Sequence, residues 1–201
     1  MPMTFRPALA AAAMLACACH AAYAADFDRR LNEANAGPFW QHGNLVVNTA
    51  VASAVAGALW LGAEDRLGRT LWQSSEAWAV SAAVTEVLKV AAGRVRPTET
   101  QDPGKWFAGG RSFPSGHTTA AASVVTPLIL EYKDDHPMVW LLAAIPAYEM
   151  VSRVKTHSHW QSDVIAGAAI GAATGYLEHQ RGPWVVKALP RGVYVGFRKA
   201  F

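Results

Sequence analysis

The sequence predicts an all-α fold, a helical bundle of about five core helices that forms one domain. Apolar, Ala-rich segments recur after the first 25 residues, and they contain few of the β-branched runs that favour strands. The stretches between them collect glycine, proline and charge, which is typical of connections between helices. The apolar segments cover residues 44–63, 72–93, 116–131, 137–152 and 162–178.

The N-terminal segment has the pattern of a secretory signal peptide. Arg6 supplies a positive charge, an apolar run follows it, and residues 22–24 (AYA) form a small-x-small cleavage site. We predict a signal peptide over residues 1–24 and a functional domain over 25–201, in the periplasm or outside the cell. A retained membrane helix is the alternative. Both cysteines lie inside the leader, so the mature protein is expected to have neither a disulfide nor a Cys-zinc site.

Net charge and hydropathy indicate which kinds of molecule the protein binds and whether it lies in a membrane. The net charge is +3, and no long basic stripe is present, which argues against nucleic-acid binding. Only the segment 44–63 approaches a charge-free span, whereas 72–93 carries Glu76, Glu86 and Lys89. This pattern favours a soluble or membrane-surface bundle, and an integral membrane protein is the alternative. The basic residues gather in a few connecting segments, which indicates a local anion site.

The C-terminal pattern differs from the rest. Residues 184–189 and an alternation of Val193, Val195 and Phe197 flank a Pro-Arg-Gly turn, which predicts a short hairpin or an extended tail. The long connection 97–113 contains Trp106 and Phe107 among glycines and prolines. Groups of polar residues lie on both sides of this connection, and its role is left open.

The first polar cluster follows the second apolar segment. Lys89 and Arg96 are seven residues apart, which is two helical turns, so both can project from one helix face before Pro97 ends the helix. A basic last turn that complements the helix dipole needs the same residue types, so this cluster alone does not establish a function.

The second cluster directly precedes the third apolar segment. Ser115 is a suitable N-cap, and Gly116 allows an anion to approach the backbone N–H groups at the positive end of the helix. Ser-Gly before a helix is an ordinary capping sequence. His117, in the first turn beside that anion, is the residue that indicates a functional site.

The third cluster is the stretch SRVKTHSHWQSD at residues 152–163. Arg153 is suited to bidentate phosphate binding. His159 and Asp163 are four residues apart, so the carboxylate can accept from one ring nitrogen and leave the other free as a nucleophile. His157 has no acid at that spacing, and we interpret it as a supporting histidine.

Together the clusters hold an oxyanion among cations and place two histidines beside it. One imidazole would attack the phosphorus and the other would protonate the leaving group, which is phosphoryl transfer through a phosphohistidine. No cluster of carboxylates or cysteines indicates a metal site, and no cofactor is expected.

These clusters resemble the signature of the type 2 phosphatidic acid phosphatase superfamily. K-x6-R-P stands at residues 89–97, P-S-G-H at 114–117 and S-R-x5-H-x3-D at 152–163. The resemblance implies a helical core with the motifs at one end and metal-independent catalysis. The roles it implies are phosphate binding by Lys89, Arg96 and Arg153, hydrogen bonds from Ser115 and Gly116, acid/base catalysis by His117, nucleophilic attack by His159 and orientation of His159 by Asp163.

The family contains several activities, and the sequence favours one of them. Because of the leader and the modest hydropathy, we predict a phosphomonoesterase like the bacterial class A acid phosphatases. The alternative is a membrane-embedded lipid or polyprenyl (di)phosphate phosphatase with the same residues and the site facing the periplasm. A vanadate-dependent haloperoxidase and a noncatalytic phosphate-binding protein are weaker alternatives. The expected partner is a phosphate ester, with lipid phosphates included, and the oligomeric state is left open.

Overall fold

The computed structural model describes residues 27–31 and 37–181, together with the backbone of 184–189 and 192–197. The predicted signal peptide and both cysteines lie outside the described residues.

The described part of the chain is a helical bundle followed by a hairpin, as predicted. A 3-10 helix (Pro137–Ala143) and an α-helix (Ala144–Lys155) divide the predicted segment 137–152, since the chain passes from one helix type to the other at Ala144. The two strands pair antiparallel, with Val186 opposite Val195. The elements are α1 (Pro38–Gln41), α2 (Gly43–Leu61), α3 (Arg66–Ala92), α4 (Gly116–Tyr132), the 3-10 helix (Pro137–Ala143), α5 (Ala144–Lys155), α6 (Gln161–Arg181), β1 (Trp184–Leu189) and β2 (Gly192–Phe197).

Helix α4 is the centre of the bundle, and α6 packs most closely against it. Glycines four residues apart on α6 make this possible. A Cβ atom at Gly167 would lie 2.6 Å from the carbonyl oxygen of Ser115, and one at Gly171 would lie 2.2 Å from that of Thr119. The backbones therefore approach as in small-xxx-small helix pairs. The contact brings the start of α4 next to the start of α6, where the second and third clusters lie.

Helix α3 delivers the first cluster to the same end of the bundle. Its first turn is capped by Asp65, which accepts a hydrogen bond from the Gly68 N–H at 2.7 Å. Its last turn ends at Gly93, which adopts a left-handed conformation with φ 53°. The helix therefore ends four residues before Pro97, where the sequence predicted its end, and Arg96 lies beyond the helix and not on its face. The chain then turns sharply away from the helix, and Arg94 and Arg96 follow directly.

The polarity of α3 is inverted with respect to a helix of a water-soluble bundle. Its buried face carries Thr70, Gln73, Ser74, Ser81, Thr85 and Lys89. Its outward face carries Val87 and Val90, which are 68% and 73% exposed. On α6 the buried face includes Thr174 and Glu178, while Ile165 and Tyr176 are exposed. On these two helices, apolar side chains face outward and polar side chains face inward, which is the arrangement expected of helices that face lipid.

This arrangement removes one argument for a soluble protein. In the sequence, the charge of Lys89 argued against a membrane helix, but the side chain is buried and only 7% exposed. Among the described helices, α2 has the length and the apolar composition that a bilayer crossing requires.

Candidate active site

The three polar clusters meet at one end of the bundle, as predicted, in a cavity of about 590 Å³. The polar lining includes Lys89, Arg96, Gly116, His117, Arg153 and His159. An apolar wall continues from them and is formed by Val47, Val51, Ala52 and Val55 of α2 and Trp78 of α3. Two predicted site residues, Ser115 and Asp163, are fully buried behind this lining.

Lys89 and Arg153 are held in place by neighbouring polar groups. The Lys89 Nζ donates to the carbonyl oxygens of Pro114 and Arg111, at 3.1 and 3.3 Å. An ammonium group has three hydrogens, so one of them stays available to an anion in the cavity. Burial, reinforced by the charge of Arg96, lowers the pKa of Lys89 to about 8. A bound anion would counter both effects.

Arg153 is fixed from two helices. Its Nε lies 2.5 Å from Oε1 of Glu149, one turn earlier on α5, and its Nη2 donates to Oδ1 of Asn44 on α2 at 2.8 Å. Gly43 leaves room for this arrangement, because a Cβ atom there would lie 2.7 Å from Nη2 of Arg153. The guanidinium is thereby positioned before any phosphate binds.

The geometry of His159 leaves one ring nitrogen available. Its Nδ1 lies 2.7 Å from the carbonyl oxygen of Ser112. A carbonyl only accepts, so Nδ1 carries the hydrogen and Nε2 keeps its lone pair. Burial lowers the pKa of His159, against the opposing effect of Asp163, so the neutral imidazole is favoured. A neutral ring with a free nitrogen is the form that a nucleophile requires.

Asp163 lies near His159 but is not its hydrogen-bond acceptor. The four-residue spacing predicted that hydrogen bond, but Oδ2 of Asp163 is 3.7 Å from Nδ1, and Ser112 takes the hydrogen instead. The carboxylate accepts from Nη1 of Arg94 at 2.6 Å, Oγ of Ser112 at 2.5 Å and the N–H of Trp160 at 2.9 Å. Burial by itself would raise the pKa of Asp163, but the interactions with His159 and Arg94 lower it overall. Asp163 therefore stays ionised and organises the turn that carries His159.

Ser115 also differs from its predicted arrangement. Its side chain makes no capping hydrogen bond to the backbone of α4, and its Oγ lies 3.0 Å from Oγ1 of Thr118. Its backbone N–H donates to the carbonyl oxygen of Asp163 at 3.0 Å. These contacts connect the starts of α4 and α6 and are directed away from the cavity lining.

The other two histidines of the predicted clusters, His117 and His157, occupy different environments. His117 lines the cavity, and burial, followed by the charge of Arg153, lowers its pKa to about 4. His157 is buried outside the described cavity lining and has a φ of 55°, an uncommon value for a residue other than glycine. His157 thus shapes the turn before His159, in agreement with its interpretation as a supporting residue.

Arg94 is a site component that the sequence patterns did not reveal. It is 1% exposed and donates to Asp163, Ser162, Asp28 and the carbonyl oxygen of Pro103. Its guanidinium stacks 4.4 Å from the ring centre of Trp106, which gives the loop 97–113 a structural role. The sequence offers no local signal for this role, because Asp28 and Asp163 are both more than 60 residues away.

Comparison with known proteins identifies a family and a fold. The family model described as the PAP2 superfamily matches residues 70–187, more than half of the chain. A lipid A 1-phosphatase of Porphyromonas gingivalis is 31% identical over 121 residues, which cover 59% of this chain and 24% of that protein. A lipid A 1-phosphatase of Rhizobium johnstonii is 34% identical over 99 residues, 46% of this chain and 39% of that protein. The match thus spans well under half of either relative.

A solved structure supports the same fold. The crystal structure described as the first transmembrane PAP2 type phosphatidylglycerolphosphate phosphatase, from Bacillus subtilis, superposes with a TM-score of 0.52. The superposition covers 86% of this chain and 85% of that one at 20% sequence identity. At this identity the likeness concerns the fold.

Proposed function

Because the chain belongs to the PAP2 superfamily, we propose that it is a phosphatase that removes a phosphate group from a membrane lipid through a phosphohistidine at His159. This was the alternative prediction from the sequence, and it now has better support than a soluble acid phosphatase. The relatives with matched sequences are named as lipid A 1-phosphatases, and the matched structure is a transmembrane lipid phosphatase.

The observation that carries the proposal is the two-part cavity. The cations and histidines form one end, and the apolar wall on α2 runs from Val47 to Val55. At 1.5 Å per residue this wall is about 12 Å long. Trp78 lies eleven residues before Lys89 on α3, which is about 16 Å, and it lines the same apolar part of the cavity. A phosphate with an apolar chain would fill both parts, whereas a small soluble ester would use only the charged end.

The outer surface supports a membrane location. Leu45, Leu59 and Trp60 of α2 are exposed, as are Val87 and Val90 of α3. Trp60 and Trp140, at the end of the bundle opposite the cavity's charged part, are 89% and 57% exposed, and tryptophan is enriched where a membrane meets water. We infer that the middle of the bundle lies in lipid and that the phosphate site lies beyond the apolar band, at the aqueous interface. That this interface is the periplasmic one remains our prediction.

The first chemical step is attack on the phosphate. The Nε2 lone pair of His159 forms an N–P bond while the bond between phosphorus and the lipid oxygen breaks, and His117 donates a proton to that oxygen. Lys89, Arg96 and Arg153 stabilise the charge on the phosphoryl oxygens. The hydrogen bond from Nδ1 to Ser112 and the nearby Asp163 carboxylate stabilise the positive charge that develops on the imidazole.

The second step regenerates the protein. His117, now neutral, takes a proton from water as the water oxygen attacks phosphorus, and the N–P bond breaks. Inorganic phosphate leaves, and the electron pair of the broken bond returns to Nε2 of His159. Gly116 permits close approach of the phosphate, since a Cβ atom there would lie 3.9 Å from Nζ of Lys89, inside the charged end of the cavity.

Phosphate binding is expected to raise the pKa of His117. Before phosphate binds, burial and the charges of Arg153, His159, Lys89 and Arg96 hold the pKa of His117 at about 4, which leaves the ring neutral at pH 7. A phosphate dianion offsets the cations and favours the imidazolium, the form that protonates a leaving group. NMR titration of the His117 ring, with and without inorganic phosphate and assigned with His117→Asn, measures the shift. An unchanged or lower pKa in the complex would contradict the proposed acid.

The substrate class is tested by direct comparison of esters. We expect the purified protein in detergent to hydrolyse a phosphorylated glycolipid or a diacylglycerol phosphate with a kcat/KM at least about 100-fold above that for an aryl phosphate, because burial of the apolar chain adds binding energy. Val51→Gln on the wall should reduce the lipid preference, whereas Ser53→Gln, at an exposed position of the same helix outside the described lining, should not. Preference for the aryl phosphate, together with release from cells by osmotic shock, would restore the soluble acid phosphatase.

A further inference from the structure

A short N-terminal segment docks onto the helix that carries Asp163. The segment 27–31 lies outside the region that the family model matches. The N–H of Arg29 donates to Oε1 of Gln161 at 3.1 Å, and Nε2 of Gln161 donates to the carbonyl oxygen of Arg29 at 2.8 Å. This pair of hydrogen bonds fixes the backbone of the segment against the first residue of α6.

Asp28 is the buried residue of this segment. It is 4% exposed, and its Oδ1 accepts from the N–H of Ser162 at 2.8 Å. Its Oδ2 accepts from Oγ of Ser162 and from Nη2 of Arg94, both at 2.6 Å. The first N–H groups of a helix have no partner within the helix, so Asp28 supplies one for α6 from 134 residues earlier in the chain. A carboxylate at this position also complements the helix dipole.

Arg94 connects Asp28 to the proposed nucleophile. Its Nη2 meets Asp28 and its Nη1 meets Asp163, with the three side chains at most 2% exposed. Asp163 accepts from the N–H of Trp160, the residue directly after His159. The contacts therefore run without interruption from Asp28 through Arg94 and Asp163 to the turn that carries the imidazole.

We propose that Asp28 is a positioning residue of the active site, and that the N-terminal segment thereby completes a site whose proposed catalytic and phosphate-binding residues lie between Lys89 and Asp163. This inference rests on the proposed function. Asp28 orients Arg94 and the first turn of α6, and through them it sets the direction of Nε2 of His159. Asp28 does not line the described cavity, so it acts on the chemical step and not on the cations that bind phosphate.

The test compares Asp28→Asn with Arg30→Ala. Arg30 is exposed in the same segment, so its replacement is a matched control. For Asp28→Asn we expect kcat to fall about 10- to 100-fold, as small displacements of a reacting group typically cause. KM and the inhibition constant of inorganic phosphate should change less than about twofold, because the loss lies in positioning. Arg30→Ala should match the wild type in each value.

A second variant keeps the inference testable if Asp28→Asn does not fold. Ser162→Ala removes the hydroxyl that Asp28 and Arg94 share but changes no charge, and it should lower kcat in the same direction by a smaller factor. Equal kcat for both variants and the wild type would overturn the inference while the phosphatase proposal stands. A fall in kcat of Asp28→Asn that is accompanied by an equal loss of phosphate binding would also overturn the inference. A wild type that hydrolyses no phosphate ester would instead refute the proposed function, and this inference with it.

Discussion

Replacement of His159 with alanine is expected to lower kcat at least about 1,000-fold, the scale of effect seen when a nucleophile is removed. The imidazole is 3% exposed and its Nδ1 is engaged with Ser112, so Nε2 is the atom that it presents to the cavity. The other histidine of the described lining, His117, is assigned to proton transfer. The measurement is release of inorganic phosphate from a lipid phosphate under saturating conditions.

His157→Ala is the matched control for this variant. His157 is also buried and lies two residues away, but it is outside the described lining. We expect a modest loss of activity. Alanine, like histidine, is strained at a φ of 55°, so the replacement disturbs the turn before His159 only slightly. An acid-labile phosphorylated species should accumulate with the control variant and the wild type but not with His159→Ala. Appreciable turnover by His159→Ala, or its absence in His157→Ala alone, would contradict the assignment of the nucleophile.

Spacing along the chain predicted the cationic and histidine side chains that line the cavity, but not its apolar wall. Lys89, His117 and Arg153 each stand within the first or last turn of a helix, where a local pattern determines both the end of the helix and the side chain that it carries. The end of α3, the start of α4 and the end of α5 lie at the same end of the bundle, so the three side chains converge there. The same reasoning explains the confirmed family and fold, since both depend on local patterns in a fixed order.

Other features depend on pairs of residues that no local pattern connects. The carbonyl of Ser112 takes the hydrogen expected to go to Asp163, because the loop before α4 passes closer to Nδ1 than the carboxylate does. Arg94 could not be assigned from local spacing, because its partners Asp28 and Asp163 lie 66 and 69 residues away in the chain. Composition likewise counts the polar residues of α3 without showing that they face inward. The preference for a soluble enzyme rested on the leader and on the modest hydropathy, and the hydropathy counts polar residues of α3 without showing that they are buried.

Asp163→Asn is expected to impair both stability and catalysis, because every described hydrogen-bond partner of the carboxylate is a donor. Oδ1 faces Arg94, and Oδ2 faces Ser112 and Trp160. An asparagine amide group must point its own donor at one of these sides, whichever way it is turned. Arg94 also loses a buried counter-charge, a change that typically costs about 3–5 kcal/mol of folding free energy.

The catalytic effect of Asp163→Asn follows from the same contacts. The turn at Trp160 loses a strong acceptor, so Nε2 of His159 is no longer held in line with the phosphate, and we expect kcat to fall at least about 100-fold. Glu178→Gln is the control, since it neutralises a buried carboxylate at the other end of the same helix. It should leave kcat unchanged. Denaturant titration separates the two effects of Asp163→Asn, because it gives the fraction of folded protein. We expect the activity per folded molecule to be reduced as well. If that activity equalled the wild-type value, Asp163 would support folding alone, and the path from Asp28 through Arg94 to the nucleophile would be broken at this residue.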